Sequence, residues 1–359
     1  MGIAAGLLPT GRRRRQPSFF LSLGEFDAII RNFTTKAQST QRRITEKRIC
    51  ILCVPGACVV KYEVHARSVN VRRNQAVSTV STNSDRLIVG CGYLGQRVAS
   101  KWQSSGRTFA LTRSRVDELR AFGLTPIVGD VMDQQSLRAL PPVSTIVYAV
   151  GFDRSADYSM RDVYVTGLRH VLEALSGKPR IVYVSSTSVY GQTDGSWVDE
   201  TSAAEPSEES GKIVLEAEAT LRSQRPEAII LRFAGIYGPG RLLRRITAIQ
   251  SSEPIAADPD RYLNLIHVDD GAAVLLAAAE KGRDGETYNV ADDRPPTRRE
   301  FYTELARLLG APPPTFVPGS DRANRRIGNA RMKREFSIAL RYPSFVEGLA
   351  QAVNTPTPD

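Results

Sequence analysis

The sequence predicts an α/β protein with a doubly wound parallel sheet, on three observations. From Arg86 onward, short Val- and Ile-rich runs alternate with stretches of helical periodicity. A glycine-rich turn joins the first such run to the first helix, and the charge beyond residue 85 is close to balanced although the whole chain is basic. The runs at 86–89, 108–112, 126–128, 145–149, 180–185 and 228–233 have the length and composition of strands buried on both faces. Between the first two, Leu94, Val98 and Trp102 recur at every fourth residue and mark one face of a helix. A second helix carries Val163, Leu168, Val171, Leu172 and Leu175 at helical spacing, and Gly177-Lys178-Pro179 ends it. After Tyr237-Gly238-Pro239-Gly240 the alternation gives way to turns and prolines, with helical patterns at 270–280, 297–309 and 343–353 and a loop at 311–324. The expected organisation is a basic extension over 1–85, a nucleotide-binding domain over 86–240 and a smaller substrate lobe over 241–359.

The formal charge of +10 over 359 residues raises nucleic acid or an anionic membrane as a partner. Its distribution removes that argument from the folded part. Residues 1–85 hold 14 Lys and Arg against 5 Asp and Glu, which leaves 34 against 33 for the remainder. The extension, with its Arg12-Arg13-Arg14-Arg15 run, has short apolar runs at 49–54 and 57–60 and no lasting period, so it is expected to be disordered or weakly structured. A start placed too far upstream, a solvated tail and an organellar transit peptide all remain open as its origin, although Glu25 and Asp27 interrupt the transit pattern. Nucleic acid is not expected as a partner, because the extension has few aromatics to stack on bases. No run approaches the roughly 20 apolar residues of a membrane span. Of the four cysteines, Cys50, Cys53 and Cys58 precede His65 at a spacing loosely like a zinc knuckle, but without ordered flanks, and no metal is expected. Cys91 alone falls in the folded part, so a reducing cytoplasmic setting is expected, with an organelle only if the extension is a transit peptide.

Gly90-Cys91-Gly92-Tyr93-Leu94-Gly95 fits G-x-G-x-x-G directly after a strand and at the opening of a helix, the Rossmann fingerprint for a dinucleotide. Gly90 serves the tight turn, Gly92 clears the approach to a pyrophosphate and Gly95 brings the helix onto its strand. Tyr93 and Leu94 open the helix, whose N-terminus favours phosphate. At the end of the second strand, where a carboxylate would take the ribose 2′-OH of NAD, the sequence reads Leu111-Thr112-Arg113-Ser114-Arg115. Two guanidinium groups match a 2′-phosphate, so NADP(H) is expected over NAD(H).

These segments resemble the extended short-chain dehydrogenase/reductases, the NAD-dependent epimerase/dehydratase family, over most of residues 86–350. Gly129-Asp130-Val131 resembles the family's adenine-contacting position, and Ala149-Val150-Gly151 the stretch that walls the cofactor. Residues 182–191, ending Val189-Tyr190-Gly191, are similar to the strand that carries the family's catalytic hydroxyl, which the resemblance places at Ser186. Residues 232–240 resemble the sixth strand and its loop, Tyr288-Asn289-Val290-Ala291 matches a further typical segment, and 264–270 resembles the segment that closes over substrate, with His267 facing it.

The family also places a tyrosine four residues before a lysine, to exchange the proton and bind the nicotinamide ribose. Lys212 fits the lysine, but Glu208 stands where the tyrosine belongs. A carboxylate beside Lys212 is held ionised and makes a poor donor at neutral pH. Tyr158, Tyr164, Tyr190 and Tyr237 are available as substitutes. The sequence therefore predicts an NADP(H)-linked oxidoreductase or epimerase-like enzyme for a small hydroxylated or nucleotide-sugar-like substrate. The other reading is a non-catalytic NADP(H)-binding sensor or scaffold. The resemblance further implies a homodimer through the helices near 163–175 and 212–221.

Overall fold

The computed structural model describes residues 49–54, 57–62, 84–102, 106–155, 157–241, 243–319 and 323–354. They belong to two units, Met1–Thr79 and Val80–Asp359. In the first, β1 (Ile49–Val54) and β2 (Ala57–Tyr62) pair antiparallel, with Val54 opposite Ala57. Both are rich in Val, Ile and Leu, and Pro55-Gly56 stands between them in the sequence. The strand pair falls at the two short apolar runs of the extension. The basic run at 12–15, the transit-peptide reading and a zinc set that needs His65 lie outside the described residues.

The second unit opens with β3 (Arg86–Val89), α1 (Tyr93–Lys101), β4 (Thr108–Thr112), α2 (Val116–Ala121) and β5 (Thr125–Val128). Next come β6 (Thr145–Tyr148), a π-helical turn at Asp162–Thr166, α3 (Gly167–Ala174) and β7 (Arg180–Ser186). They are followed by β8 (Trp197–Val198), α4 (Glu209–Gln224), β9 (Ile229–Phe233) and β10 (Gly235–Tyr237). The rest holds α5 (Leu243–Gln250), β11 (Ile255–Ala256), β12 (Leu265–His267), α6 (Val268–Lys281), β13 (Thr287–Val290) and α7 (Arg298–Leu309). Last are β14 (Phe316–Val317), β15 (Arg326–Ile327), α8 (Ala330–Phe336) and α9 (Phe345–Asn354).

Seven strands form one parallel sheet in the order β13-β9-β7-β6-β3-β4-β5. Parallel neighbours require crossover connections, and these lay helices on both faces. The alternation along β3 records this: Leu87 and Val89 join Leu168 and Leu172 of α3 and Leu221 of α4 in one apolar cluster. Ile88 joins Val98 of α1 and Leu275 of α6 in another. The six expected strands are present with ends moved by at most a residue. The seventh, β13, comes from the segment assigned to the substrate lobe and pairs with β9, Val290 opposite Phe233. A boundary at 240 therefore cuts through the sheet. The stretch beyond it is divided, because α6 returns its apolar side to the sheet while α5, α7 and α9 share a smaller core around Phe301, Leu305 and Leu349. Within the expected loop at 311–324, β14 pairs with β11. Among the described residues no helix is long and apolar enough to cross a membrane.

Candidate active site

A cavity of about 640 Å³ lies at the carboxyl ends of β3, β4, β6 and β7. Strand order reverses between β4 and β6 around β3, which is where open α/β sheets bind ligands. Gly90 has φ of +93°, and a Cβ there would meet the Ala149 carbonyl oxygen at 2.4 Å. A Cβ on Gly95 would stand 2.6 Å from the Gly90 carbonyl oxygen, so its absence lets α1 close on the turn. At Gly92 nothing lies within 4 Å of the added atom, which leaves open space beside the start of α1. That is the cradle a pyrophosphate requires.

Arg113 and Arg115 both line the cavity at the end of β4. The Arg115 Nη2 donates to the Cys91 carbonyl oxygen at 2.5 Å and its Nη1 to Glu118 Oε1 at 3.2 Å, which fixes the guanidinium against the glycine loop. Arg113 is exposed and only loosely paired with Asp153 at 3.7 Å. Asp130 and Val131 form the next stretch of wall, where Asp130 Oδ1 accepts the Met132 N–H at 2.9 Å. Ala149 and Gly151 line the cavity after β6, and Leu94 and Tyr93 after β3. The Arg97 and Arg241 guanidinium groups lie over the Tyr93 ring, 4.2 and 4.7 Å from its centroid, and burial pushes its hydroxyl up to about 12. Burial likewise pushes the Cys91 thiol up to about 11, so it stays protonated and unreactive at neutral pH.

Ser186 ends β7 and lines this cavity. Its Oγ accepts the Ser188 N–H at 3.1 Å, capping the short turn Thr187–Val189, and its own proton is left to donate. It is a backbone cap and a cleft hydroxyl at once.

Three expected site residues do not reach the cleft. Lys212 is exposed, 3.8 Å from Glu209, and absent from the cavity wall. The α4 residue on that wall is Val214. Two residues along a helix turn a side chain through about 200°, so Lys212 and Val214 cannot share a face. Glu208 precedes α4 as its exposed N-cap residue and makes no side-chain capping bond. Four residues before Val214 stands Ser210, also exposed. The part of α4 on the cavity wall offers neither tyrosine nor lysine.

His267 is wholly buried. Its Nδ1 accepts the Asp269 N–H at 3.3 Å, so Nε2 carries the proton and donates to Gln351 Oε1 at 2.9 Å. Its ring packs against Tyr237 and Tyr342, and burial lowers its pKa, keeping it neutral. It caps α6 and lies off the cavity wall.

Of the four substitute tyrosines, Tyr237 is buried in the smaller core and the Tyr190 hydroxyl bonds Arg232 and Asn289. Tyr158 and Tyr164 line the cleft. Tyr164 projects from the π-helical turn, a feature frequent at functional sites, and its hydroxyl accepts the Phe152 N–H at 3.2 Å. Behind the wall, Glu218 takes two bonds from Arg232, at 3.0 and 2.7 Å, and one from Ser185 at 2.5 Å. Burial works against the Arg232 charge and the bonds to Glu218 more than offset it. The sequence offered one sign of this pair: Glu218 falls on the apolar stripe of Val214, Ala217 and Leu221, whereas Glu216 pairs with Arg161 at the surface.

The sequence pattern of the NAD dependent epimerase/dehydratase family matches residues 87–291, and the chain belongs to that family. Protein YeeZ of Escherichia coli strain K12 is 33% identical over 272 residues, spanning 71% of this chain and 95% of its own. The 2-alkyl-3-oxoalkanoate reductase of Shewanella oneidensis is 24% identical over 280 residues, 69% of this chain and 72% of its own. A solved Methylobacillus flagellatus structure of the NAD-dependent epimerase/dehydratase type superposes with a TM-score of 0.61 at 32% identity, covering 76% of this chain and 98% of its own.

Proposed function

We propose that the chain is an NADP(H)-dependent oxidoreductase that acts on the carbonyl or hydroxyl carbon of a compact substrate. The observation that carries this reading is a single cleft running from the glycine loop, past Arg113 and Arg115, to the hydroxyls of Ser186 and Tyr164. Gly90, Gly92 and Gly95 would admit the pyrophosphate, Arg115 with Arg113 would take the 2′-phosphate, and Asp130 would meet the adenine. When bound, NADPH supplies a hydride to a carbonyl carbon and becomes NADP⁺. Ser186 donates its O–H to the carbonyl oxygen as negative charge develops there, and Tyr164 delivers the proton that completes the hydroxyl. Solvent then returns that proton. The Shewanella oneidensis relative, by its name a reductase of an oxo acid, supports reduction over epimerisation. The buried Cys91 thiol suits a reducing cytoplasm.

Change in NADPH absorbance against a panel of compact ketones and oxo acids tests this. Turnover of at least one compound is expected. Tyr164→Phe then lowers the rate about 100-fold or more with NADPH affinity unchanged. Ser186→Ala acts in the same direction. Unchanged rates in both variants would overturn the assignment.

A second reading is a sensor that binds NADP(H) without turnover, and it is favoured by the cleft face of α4, whose residue on the wall is Val214 rather than a tyrosine or a lysine. Tight NADPH binding with no turnover across the panel would select it. We also propose a homodimer across α3 and α4. Sedimentation equilibrium of the full chain is expected to give twice the monomer mass, and a monomer at micromolar concentration would refute it.

A further inference from the structure

The two-stranded ribbon of the N-terminal unit carries three of the four cysteines of the chain. Cys50 and Cys53 lie on β1 and Cys58 on β2. In the antiparallel register Cys53 stands directly opposite Cys58, one pair in from Val54 and Ala57, whereas Cys50 stands opposite Lys61.

Directly opposed residues of an antiparallel pair share one face of the ribbon, with Cα atoms about 4.5 or 5.5 Å apart according to the hydrogen-bonding type of the pair. Both spacings fall within the roughly 4.4–6.8 Å over which a disulfide closes without backbone movement. The same geometry excludes Cys50. It precedes Cys53 by three residues, so the strand period of two puts it on the other face, and a rise of about 3.3 Å per residue parts the two Cα atoms by about 10 Å. Cys58, across the ribbon from Cys53, is no nearer to it. Of the pairings open to these cysteines, the register leaves one. The surroundings favour its chemistry as well. Residues 1–85 hold 14 Lys and Arg against 5 Asp and Glu, a positive field that promotes thiolate formation and draws an anionic oxidant.

We propose that Cys53 and Cys58 form a reversible dithiol–disulfide pair, oxidised by a small anionic disulfide of the glutathione disulfide class, while Cys50 stays a free thiol. The thiolate of one cysteine attacks glutathione disulfide, breaks its S–S bond and releases one glutathione thiolate, leaving a mixed disulfide on the protein. The thiolate of the other cysteine then attacks the protein sulfur of that bond and releases the second glutathione. Two protein thiols are oxidised to one disulfide, and one glutathione disulfide is reduced to two glutathione molecules. The register makes the second step intramolecular between positions already held together. A lone two-stranded ribbon is marginal in water, and the bond closes its turn end until a reducing compartment opens it again. Neither step draws on the cofactor cleft.

The test is equilibration of the full chain with reduced and oxidised glutathione, acid quenching, alkylation of the remaining thiols after denaturation, and mass spectrometry of tryptic peptides. Cleavage after Arg48 and Lys61 leaves Cys50, Cys53 and Cys58 in one peptide. An internal disulfide with the alkyl group on Cys50 is the expected result. Cys50→Ser is expected to leave the bond intact, and Cys53→Ser and Cys58→Ser each to replace it with a glutathione adduct. The equilibrium constant for closure is expected to be about tenfold or more larger in buffer than in concentrated urea, where nearness along the chain survives and the register does not. Pairing through Cys50, no internal disulfide at any glutathione ratio, or equal constants in buffer and urea would overturn the proposal. If a variant does not fold, the wild-type peptide map and the urea comparison decide without it.

Discussion

Exchange of Arg113 and Arg115 together for Ser is expected to lower NADPH affinity about 100-fold while changing NADH affinity less than about threefold. The two side chains do not contribute equally. Arg115 is anchored by the Cys91 carbonyl oxygen and Glu118, so it offers a fixed donor fork. Arg113 is exposed and loosely paired, and contributes at most about 1 kcal/mol. Most of the roughly 3 kcal/mol implied by the fold-change is therefore assigned to Arg115. The difference between NADPH and NADH should shrink as salt rises, since part of it is a screened surface interaction. Isothermal titration with both cofactors checks this. An equal loss for NADH and NADPH would mean that Arg115 merely braces the glycine loop through Cys91.

Glu218→Ala is expected to destabilise the fold by about 3–5 kcal/mol, because it leaves the Arg232 guanidinium buried without its carboxylate. The loss extends to Ser185, whose hydroxyl bonds the same carboxylate one residue before Ser186. The paired replacement Glu218→Leu with Arg232→Met should cost far less than either change alone, since no charge is then stranded. Urea denaturation of the single and double variants measures both quantities. Single and double losses that simply add would show that the pair is not coupled.

The contrast between α1 and α4 shows how far the sequence could be read. The turn into α1 is local: its glycines, the preceding strand and the following helix occupy one short stretch, and the structure gives each glycine the space expected of it. On α4 the spacing to Lys212 looked right, yet which face meets β7 is decided by tertiary packing, and Val214 faces the cleft. His267 shows the same limit. Its neighbours Tyr237, Tyr342 and Gln351 come from distant parts of the chain, and only their convergence turns a strand-end histidine into a buried cap. The sheet edge was hidden for a related reason. Tyr288-Asn289-Val290-Ala291 stands out in the sequence only as a family-like segment, and its place in the sheet follows from its register against β9.

The most direct measurement is calorimetric titration of the full wild-type chain with NADPH and with NADH. One saturable site, with NADPH bound at least tenfold more tightly, is the predicted result. No saturable binding of either, or tighter binding of NADH, would contradict a cleft built around Gly92 and Arg115 for a 2′-phosphorylated dinucleotide.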